Sequence, residues 1–347
     1  MPLQPHLKHL IEGRGILTRD EARALMQAIL AGELTDIEIA ALLGALAARG
    51  ETPAEVAGFV DTMRAAATHL PLDPAEQAIL VDTCGTGGDG SRTFNISTAA
   101  ALVAAAAGAS VAKHGNRAIT SQTGSADVLE ALGIPVGLSP IEATAALRRH
   151  RFAFLHAPSL HPAMMAVMPV RRALGVRTVF NLLGPLTNPA GASAQVMGVY
   201  APHVVPLVAE AMALLGTRHA FVVHGQSETA KGLDEISISG PTHLAEVHNG
   251  IVTLSTITPE DAGLERVPPE LIKDTLIGGD ATTNAAILTA IFAGERGPRR
   301  DIVLLNASAV LVAADLAPDL ITGVALAAHT IDTGAVTELV SALARNI

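Results

Sequence analysis

The chain has 347 residues, 49% hydrophobic but only 2% aromatic, which is enough Ala, Leu, Val and Ile for one large α/β body with a smaller lobe. Its formal net charge of −10 disfavours wrapping nucleic acid through phosphate neutralisation, although a local loop on an acidic protein can still bind a small anion. A single cysteine, Cys84, excludes an intramolecular disulfide and fits a reducing compartment. Mean hydropathy is +0.40. The uncharged stretch from Thr93 to Ala112 is nevertheless mostly alanine and carries Asn95, Ser97 and Thr98, so a buried helix is expected there and no membrane contact. The N-terminus has no continuous apolar signal region, and a cytoplasmic protein is expected.

The first 70 residues are punctuated as helices. Thr18 with Glu21, Thr35 with Glu38 and Thr52 with Glu55 each fit a capping box, Pro53 fits a first helical position, and Gly32 and Gly50 fit stops. Val56, Phe59, Val60 and Met63 recur at helical spacing. Pro71 and Pro74 mark a linker. Ile79 to Val81 then predicts a strand, Gly85 to Gly90 a glycine-rich loop, about Ser97 to Ala107 a helix stopped by Gly108, and Ser110 to His114 a second strand. That order predicts a mostly parallel α/β sheet. Asp127 to Leu132 reads as helix, Ser139-Pro140 with Glu142 as another capped start, and Phe152 to Leu155 and Ala220 to His224 as strands. His248-Asn249-Gly250 between two apolar runs predicts a hairpin, and the last third is mostly helical.

Three clusters carry chemistry. In Cys84-Gly85-Thr86-Gly87-Gly88-Asp89-Gly90, glycines let backbone N–H groups approach a phosphate, and the next helix N-terminus favours an anion. A tight strand-to-helix turn would use the same residues, and the loop is neither a P-loop nor a strict GxGxxG. Asn95-Ile96-Ser97-Thr98 can bond phosphate or hydrated Mg²⁺, or simply cap the helix. Lys113-His114-Gly115-Asn116-Arg117 sits at the C-terminal end of a predicted strand, where open α/β sheets bind ligands; the alternative is a solvated basic loop. The third cluster, Asp234-Glu235, suits an oxygen-ligated Mg²⁺, although an isolated Asp-Glu pair is more often a solvated loop.

Taken together these motifs resemble those of the anthranilate phosphoribosyltransferase family. The likeness continues through Gly124 to Gly133, His161-Pro162-Ala163-Met164, Arg171 and the run Phe180 to Pro189, and it reaches Gly279-Asp280 and Asn284-Ala285-Ala286. It covers nearly the whole chain. The implied fold is of the nucleoside phosphorylase/phosphoribosyltransferase type. A helical lobe of about residues 1–70, joined by helices from about 160–185, would precede an α/β domain of about 75–347 with a mostly parallel sheet flanked by helices.

The resemblance implies transfer of a phosphoribosyl group from PRPP to anthranilate, with two Mg²⁺ ions and a homodimer formed through the helical lobe. Gly85, Gly88, Asp89, Thr93, Asn95, Ile96, Ser97, Thr98, Lys113 and Ser125 would contact PRPP or its metal. His114, Gly115, Asn116, Arg117, Ala118, Ile119, Thr120 and Ser121 would line the same pocket. Gly85, Asn116 and Arg171 would contact anthranilate, with His114 and His161 near its channel; a guanidinium suits the carboxylate of that substrate. Asp234 and Glu235 would hold Mg²⁺, with Ser97 on a second metal contact. No covalent nucleophile is assigned; charge stabilisation falls to Lys113 and the metals. His156, Met165, Thr120, Gln122 and the long loop from Gly225 to Gly232 depart from the usual pattern. A pyrimidine nucleoside phosphorylase would need neither the acidic pair nor Arg171, and a nucleic-acid-binding relative would need a basic surface.

Overall fold

The computed structural model describes residues 3–118, 122–226 and 232–345. Four helices open the chain: α1 (Gln4–Ile11), α2 (Arg19–Leu30), α3 (Asp36–Arg49) and α4 (Pro53–Ala65). The three expected capping boxes start α2, α3 and α4, each Thr side chain accepting from the N–H of its Glu and each Glu returning to the cap. Gly32 and Gly50 take positive φ just past the ends of α2 and α3.

One of these boxes does more than cap. Glu55 is fully buried; its carboxylate accepts from the Leu17 N–H and the Thr52 N–H, both at 2.8 Å, and pairs with Arg49. Removing it leaves a guanidinium and two N–H groups without their acceptor. Glu55→Ala is expected to cost about 3–5 kcal/mol in urea unfolding. Glu38→Ala, whose carboxylate is exposed, is expected to cost about 1 kcal/mol.

The segment read as a linker contains α5 (Pro74–Ala78), started by a fourth box, Asp73 with Glu76. The helix keeps Ile79 out of the following strand and 58% exposed, so the strand begins one residue later than expected and runs on to the glycine loop. The sheet comprises β1 (Leu80–Gly85), β2 (Ser110–Gly115), β3 (Phe152–His156), β4 (Ala194–Gly198), β5 (His219–Gly225), β6 (Thr242–His248) and β7 (Ile251–Ile257), in the order β3-β2-β1-β4-β5-β6-β7. β1 to β5 are parallel; β6 and β7 form the expected hairpin, with Asn249 and Gly250 both at positive φ as a tight two-residue turn requires.

Between strands lie α6 (Ile96–Ala106), α7 (Ser125–Ala131), α8 (Pro140–His150), α9 (Ala157–Leu160), α10 (Met168–Leu174), α11 (Phe180–Leu186) and α12 (Val204–Leu214); α13 (Pro269–Thr275), α14 (Ala281–Phe292), α15 (Pro298–Ala313), α16 (Leu320–Asp332) and α17 (Ala335–Ala344) close the chain. The strands alternate between two cores. Val196, Phe221, Val223 and Leu244 face α6, α14 and α15, whose alanines permit close packing. Met197, Ala220, Val222 and Ala245 face α12 and share a core with α2, α3, α4 and α11. No single helix among the described residues is long and apolar enough to cross a membrane.

β2 lies on one side of β1 and β4 on the other, so the connections diverge at the C-terminal end of β1, where α/β sheets form ligand crevices. The backbone partners of β1 and β2 end at Val81 and Val111, whereas β1 stays in register with β4 as far as Gly85. A rift therefore opens between β1 and β2 just below the glycine loop.

Candidate active site

The glycine loop leaves β1 with Gly87, Gly88 and Gly90 at φ of +68°, +76° and +77°, a backbone that side-chain-bearing residues rarely adopt. Thr86 N–H donates to the Gly198 carbonyl at 2.9 Å and Gly87 N–H to Asp234 Oδ2 at 2.8 Å. Asp234 reaches the loop because β1 and β4 both end in glycine. A Cβ on Gly85 would strike its carboxylate, and a Cβ on Gly198 its backbone. Asp89 turns inward, accepting from Ser91 N–H at 3.1 Å and Asp234 N–H at 3.2 Å.

The capping role weighed for the Asn95 to Thr98 set is not the one observed. Asn95 makes no side-chain cap to α6; it donates to the Thr123 carbonyl at 3.2 Å and accepts from Asn284 at 2.9 Å. Glu235 occupies the helix N-terminus instead, accepting from Ser97 N–H at 3.1 Å. The buried Thr98 hydroxyl has no hydrogen-bond partner among the described residues. The Ser97 hydroxyl lies 3.4 Å from Lys113 Nζ. Lys113 is 1% exposed, and its ammonium also donates to the Thr83 carbonyl at 2.5 Å across the β1–β2 rift.

Electrostatically this is a strained group. Burial, then the nearby Asp89 charge, pushes Asp234 up to about 7; burial and Asp234 push Glu235 well above the carboxylate range. Burial pulls the Lys113 ammonium down. Asp89, Asp234 and Glu235 crowd one another, and of the three only Glu235 is set against the Lys113 ammonium; a divalent cation would relieve the crowding. No set of three His, Cys, Asp or Glu side chains converges as a closed cage among the described residues. Mg²⁺ needs only one or two protein carboxylates, with water and substrate phosphate completing its shell.

The loop, Gly115 and Asn116 form one wall of a cavity of about 740 Å³, and Arg171, Phe180, Asn181, Gly184 and Pro185 form the facing wall. Arg171 on α10 lies 5.4 Å over the Phe180 ring, and burial lowers its pKa. Its guanidinium has no carboxylate partner among the described residues. His114 lines the cavity, with its ring 5.1 Å from that of His161 behind it. Burial pushes His114 down to about 3, so it is a neutral imidazole, and its Nε2 has no partner among the described residues. Arg117 lends no free charge: its guanidinium is bound to Glu130 at 2.6 Å and Asp127 at 3.0 Å. The Ala118 N–H also goes to Asp127.

Ser125 starts α7 beside Gly115, and Thr93 is half-buried near Ser91. Ile119, Thr120 and Ser121 lie outside the described residues, as do residues 227–231 of the long loop. Met165 is 69% exposed, and His156 is engaged with Ser159 at 3.0 Å. Sequence reasoning missed Asp82, Gln195 and Arg177, which stacks 4.4 Å from the Tyr200 ring at the cavity. One signal pointed to the site edge: β1, β2, β4 and β5 each end in glycine.

Residues 4–67 match the helical bundle domain, and residues 77–337 the a/b domain, of the glycosyl transferase family. The anthranilate phosphoribosyltransferase of Solibacter usitatus is 52% identical over 346 residues, 99% of this chain and 98% of that one. The crystal structure of the anthranilate phosphoribosyltransferase from Thermus thermophilus is 44% identical and superposes with a TM-score of 0.87 over 97% of this chain and 98% of that one. The Saccharomyces cerevisiae anthranilate phosphoribosyltransferase in complex with PRPP and Mg is 26% identical, with a TM-score of 0.84 over 98% and 96%. Likeness of this depth runs from the first capped helix to the last, and the chain belongs to the anthranilate phosphoribosyltransferase family.

Proposed function

We propose that this chain transfers the 5-phosphoribosyl group of PRPP to the amine of anthranilate and releases pyrophosphate, as a Mg²⁺-dependent enzyme of tryptophan biosynthesis. The observation that carries the reading is the crowding of Asp89, Asp234 and Glu235 beneath a glycine loop that faces Arg171 across one cavity. We further read residues 1–70, with helices from about 160–185, as the lobe through which two copies pair in the cytoplasm, and residues 75–347 as the substrate-binding body.

In this reading the glycine loop from Gly85 to Asp89 receives the pyrophosphate of PRPP through amides other than those of Thr86 and Gly87, which are already bonded to Gly198 and Asp234. Thr93, Asn95, Ile96, Ser97, Thr98 and Ser125 border the same substrate, with the segment from Lys113 to Ser121 around it. Asp234, Glu235 and Ser97 would hold two Mg²⁺ ions, which when bound supply positive charge to the departing pyrophosphate. Lys113 adds a fixed ammonium at the same place, so that the C1–O bond breaks toward an oxocarbenium-like ribose. Arg171 and Asn116 orient anthranilate through its carboxylate and the cavity wall, with Gly85, His114 and His161 beside it. The aromatic amine is neutral near pH 7 and attacks without a strong base. Positioning and exclusion of water then account for most of the rate.

The test follows anthranilate fluorescence in purified protein with PRPP, with and without Mg²⁺. A Mg²⁺-dependent loss is expected. No loss over a wide range of Mg²⁺ and protein concentration would overturn the reading and turn attention to phosphorolysis of nucleosides.

A further inference from the structure

The last carbonyls of a helix have no partner within it. At the end of α11 the Gly184 carbonyl accepts from the Thr187 N–H at 3.3 Å and hydroxyl at 3.0 Å, and side chains from different parts of the fold also reach the last carbonyls. The Gly184 carbonyl accepts from the His114 ring of β2, and Pro185 from Gln195 Nε2 of β4 at 2.7 Å. Leu186 accepts from Arg64 Nε of α4 at 2.8 Å, and Thr187 from the His161 ring. The next residue, Asn188, enters the rift between β1 and β2. Its Nδ2 donates to Asp82 Oδ2 and to the Ala112 carbonyl, both at 2.8 Å, and its Oδ1 accepts from Ala190 N–H at 2.9 Å. With both ends of the amide engaged, its orientation is fixed.

Asp82 answers from β1. Its Oδ1 accepts from the His114 N–H of β2 at 3.1 Å, so two side chains carry the bonds that a continued β1–β2 ladder would have made. Asp82 is 1% exposed, and burial raises its pKa to about 6. A carboxylate kept there at a cost in desolvation calls for a reason other than stability. The two cavity walls supply one. Arg171, Phe180, Gly184 and Pro185 stand on the α10–α11 side, while the glycine loop, His114 and Asn116 stand on β1 and β2.

We infer that the buried Asp82–Asn188 pair is a positioning device: it pins the end of α11, which carries the acceptor wall, to the strands that carry Lys113 and the glycine loop. The inference rests on the transfer reading. The pair touches neither substrate; it sets the distance at which amine and ribose meet. A misplacement of about 1 Å between reactants can cost about 100-fold in rate while leaving each binding site intact.

The experiment compares Asn188→Ala, Asp82→Asn and the double variant with the parent protein. kcat is measured with Mg²⁺, PRPP and anthranilate; the Kd of PRPP is measured by calorimetry with Mg²⁺ alone. Each single variant is expected to lose about 30- to 100-fold in kcat with the PRPP Kd changed less than about threefold. The double variant should be no worse than the weaker single, because both break one link. Multiplying losses, or a PRPP Kd that weakens in step with kcat, would overturn the inference. If Asn188→Ala fails to fold, Gln195→Ala loosens the same helix end from β4 and must give the same split, at about tenfold. A parent without Mg²⁺-dependent anthranilate consumption sinks the transfer reading and the pin with it; an active parent with unaffected variants sinks the pin alone.

Discussion

Asp234→Asn with Glu235→Gln is expected to lower kcat by about 10³-fold and, in the metal-free protein near pH 7.5, to raise Tm by about 2–5 °C. The two effects have one origin. Burial and mutual repulsion raise both carboxylates, Asp234 to about 7 and Glu235 well above its ordinary value. The folded protein therefore holds protons that the unfolded chain releases in the ordinary carboxylate range. Their contribution is fully present below about pH 4 and is lost as pH rises through the folded pKa, toward 7 for Asp234. The amide variants keep the acceptors used by Gly87 and Ser97 N–H and lose the charges. Between pH 5 and 7.5 the parent's Tm should fall more steeply than the variant's, and added Mg²⁺ should lift the parent alone. Parallel slopes, or a variant that keeps its rate, would count against the metal-site reading. Stability given up for a site that works only when loaded is a common exchange in enzymes.

Much of the fold was legible because its signals are local. A Thr or Ser three residues before a Glu is a local helix-start signal, and the boxes at Thr18, Thr35, Thr52 and Ser139 each start a helix. Asn249-Gly250 needs only its own two φ angles to make a hairpin. The same rule, applied to Asp73 and Glu76, would have found α5 and moved the strand start past Ile79; the flanking prolines hid it. The site divides along the same line. The glycine loop and the acidic pair are short motifs, and the fold brings them together. Which partner each polar group takes is not local. Asn95 and Ser97 look like caps in sequence, yet a glutamate 138 residues from Ser97 takes the helix end. Arg117 looks like a free cation until α7 folds back to present Asp127 and Glu130. Asp82 and Asn188, 106 positions apart, acquire meaning only where β1 and β2 part. No periodicity in either segment announces that rift.

Lys113→Met should separate the two roles of the one buried cation. The thioether fills much of the same volume, so packing changes little, but the charge and its donors disappear. In the transfer reading kcat/KM for PRPP is expected to fall by about 10²- to 10³-fold. Stability moves opposite to the acidic-pair variant. Asp82 and Glu235 lose their shared counter-charge, and the Thr83 carbonyl loses its donor, which is expected to cost about 3–5 kcal/mol in urea unfolding. Adding Glu235→Gln should then return part of that stability and none of the activity, because the uncompensated carboxylate is gone while the pyrophosphate still meets no ammonium. Lys113→Arg should not rescue either property: a planar guanidinium cannot point one compact charge at both the Thr83 carbonyl and the Ser97 hydroxyl from a residue 1% exposed. If the double variant instead recovered the rate, the ammonium would be a structural counter-ion only, and stabilisation of the leaving group would rest on the metal side and the loop amides.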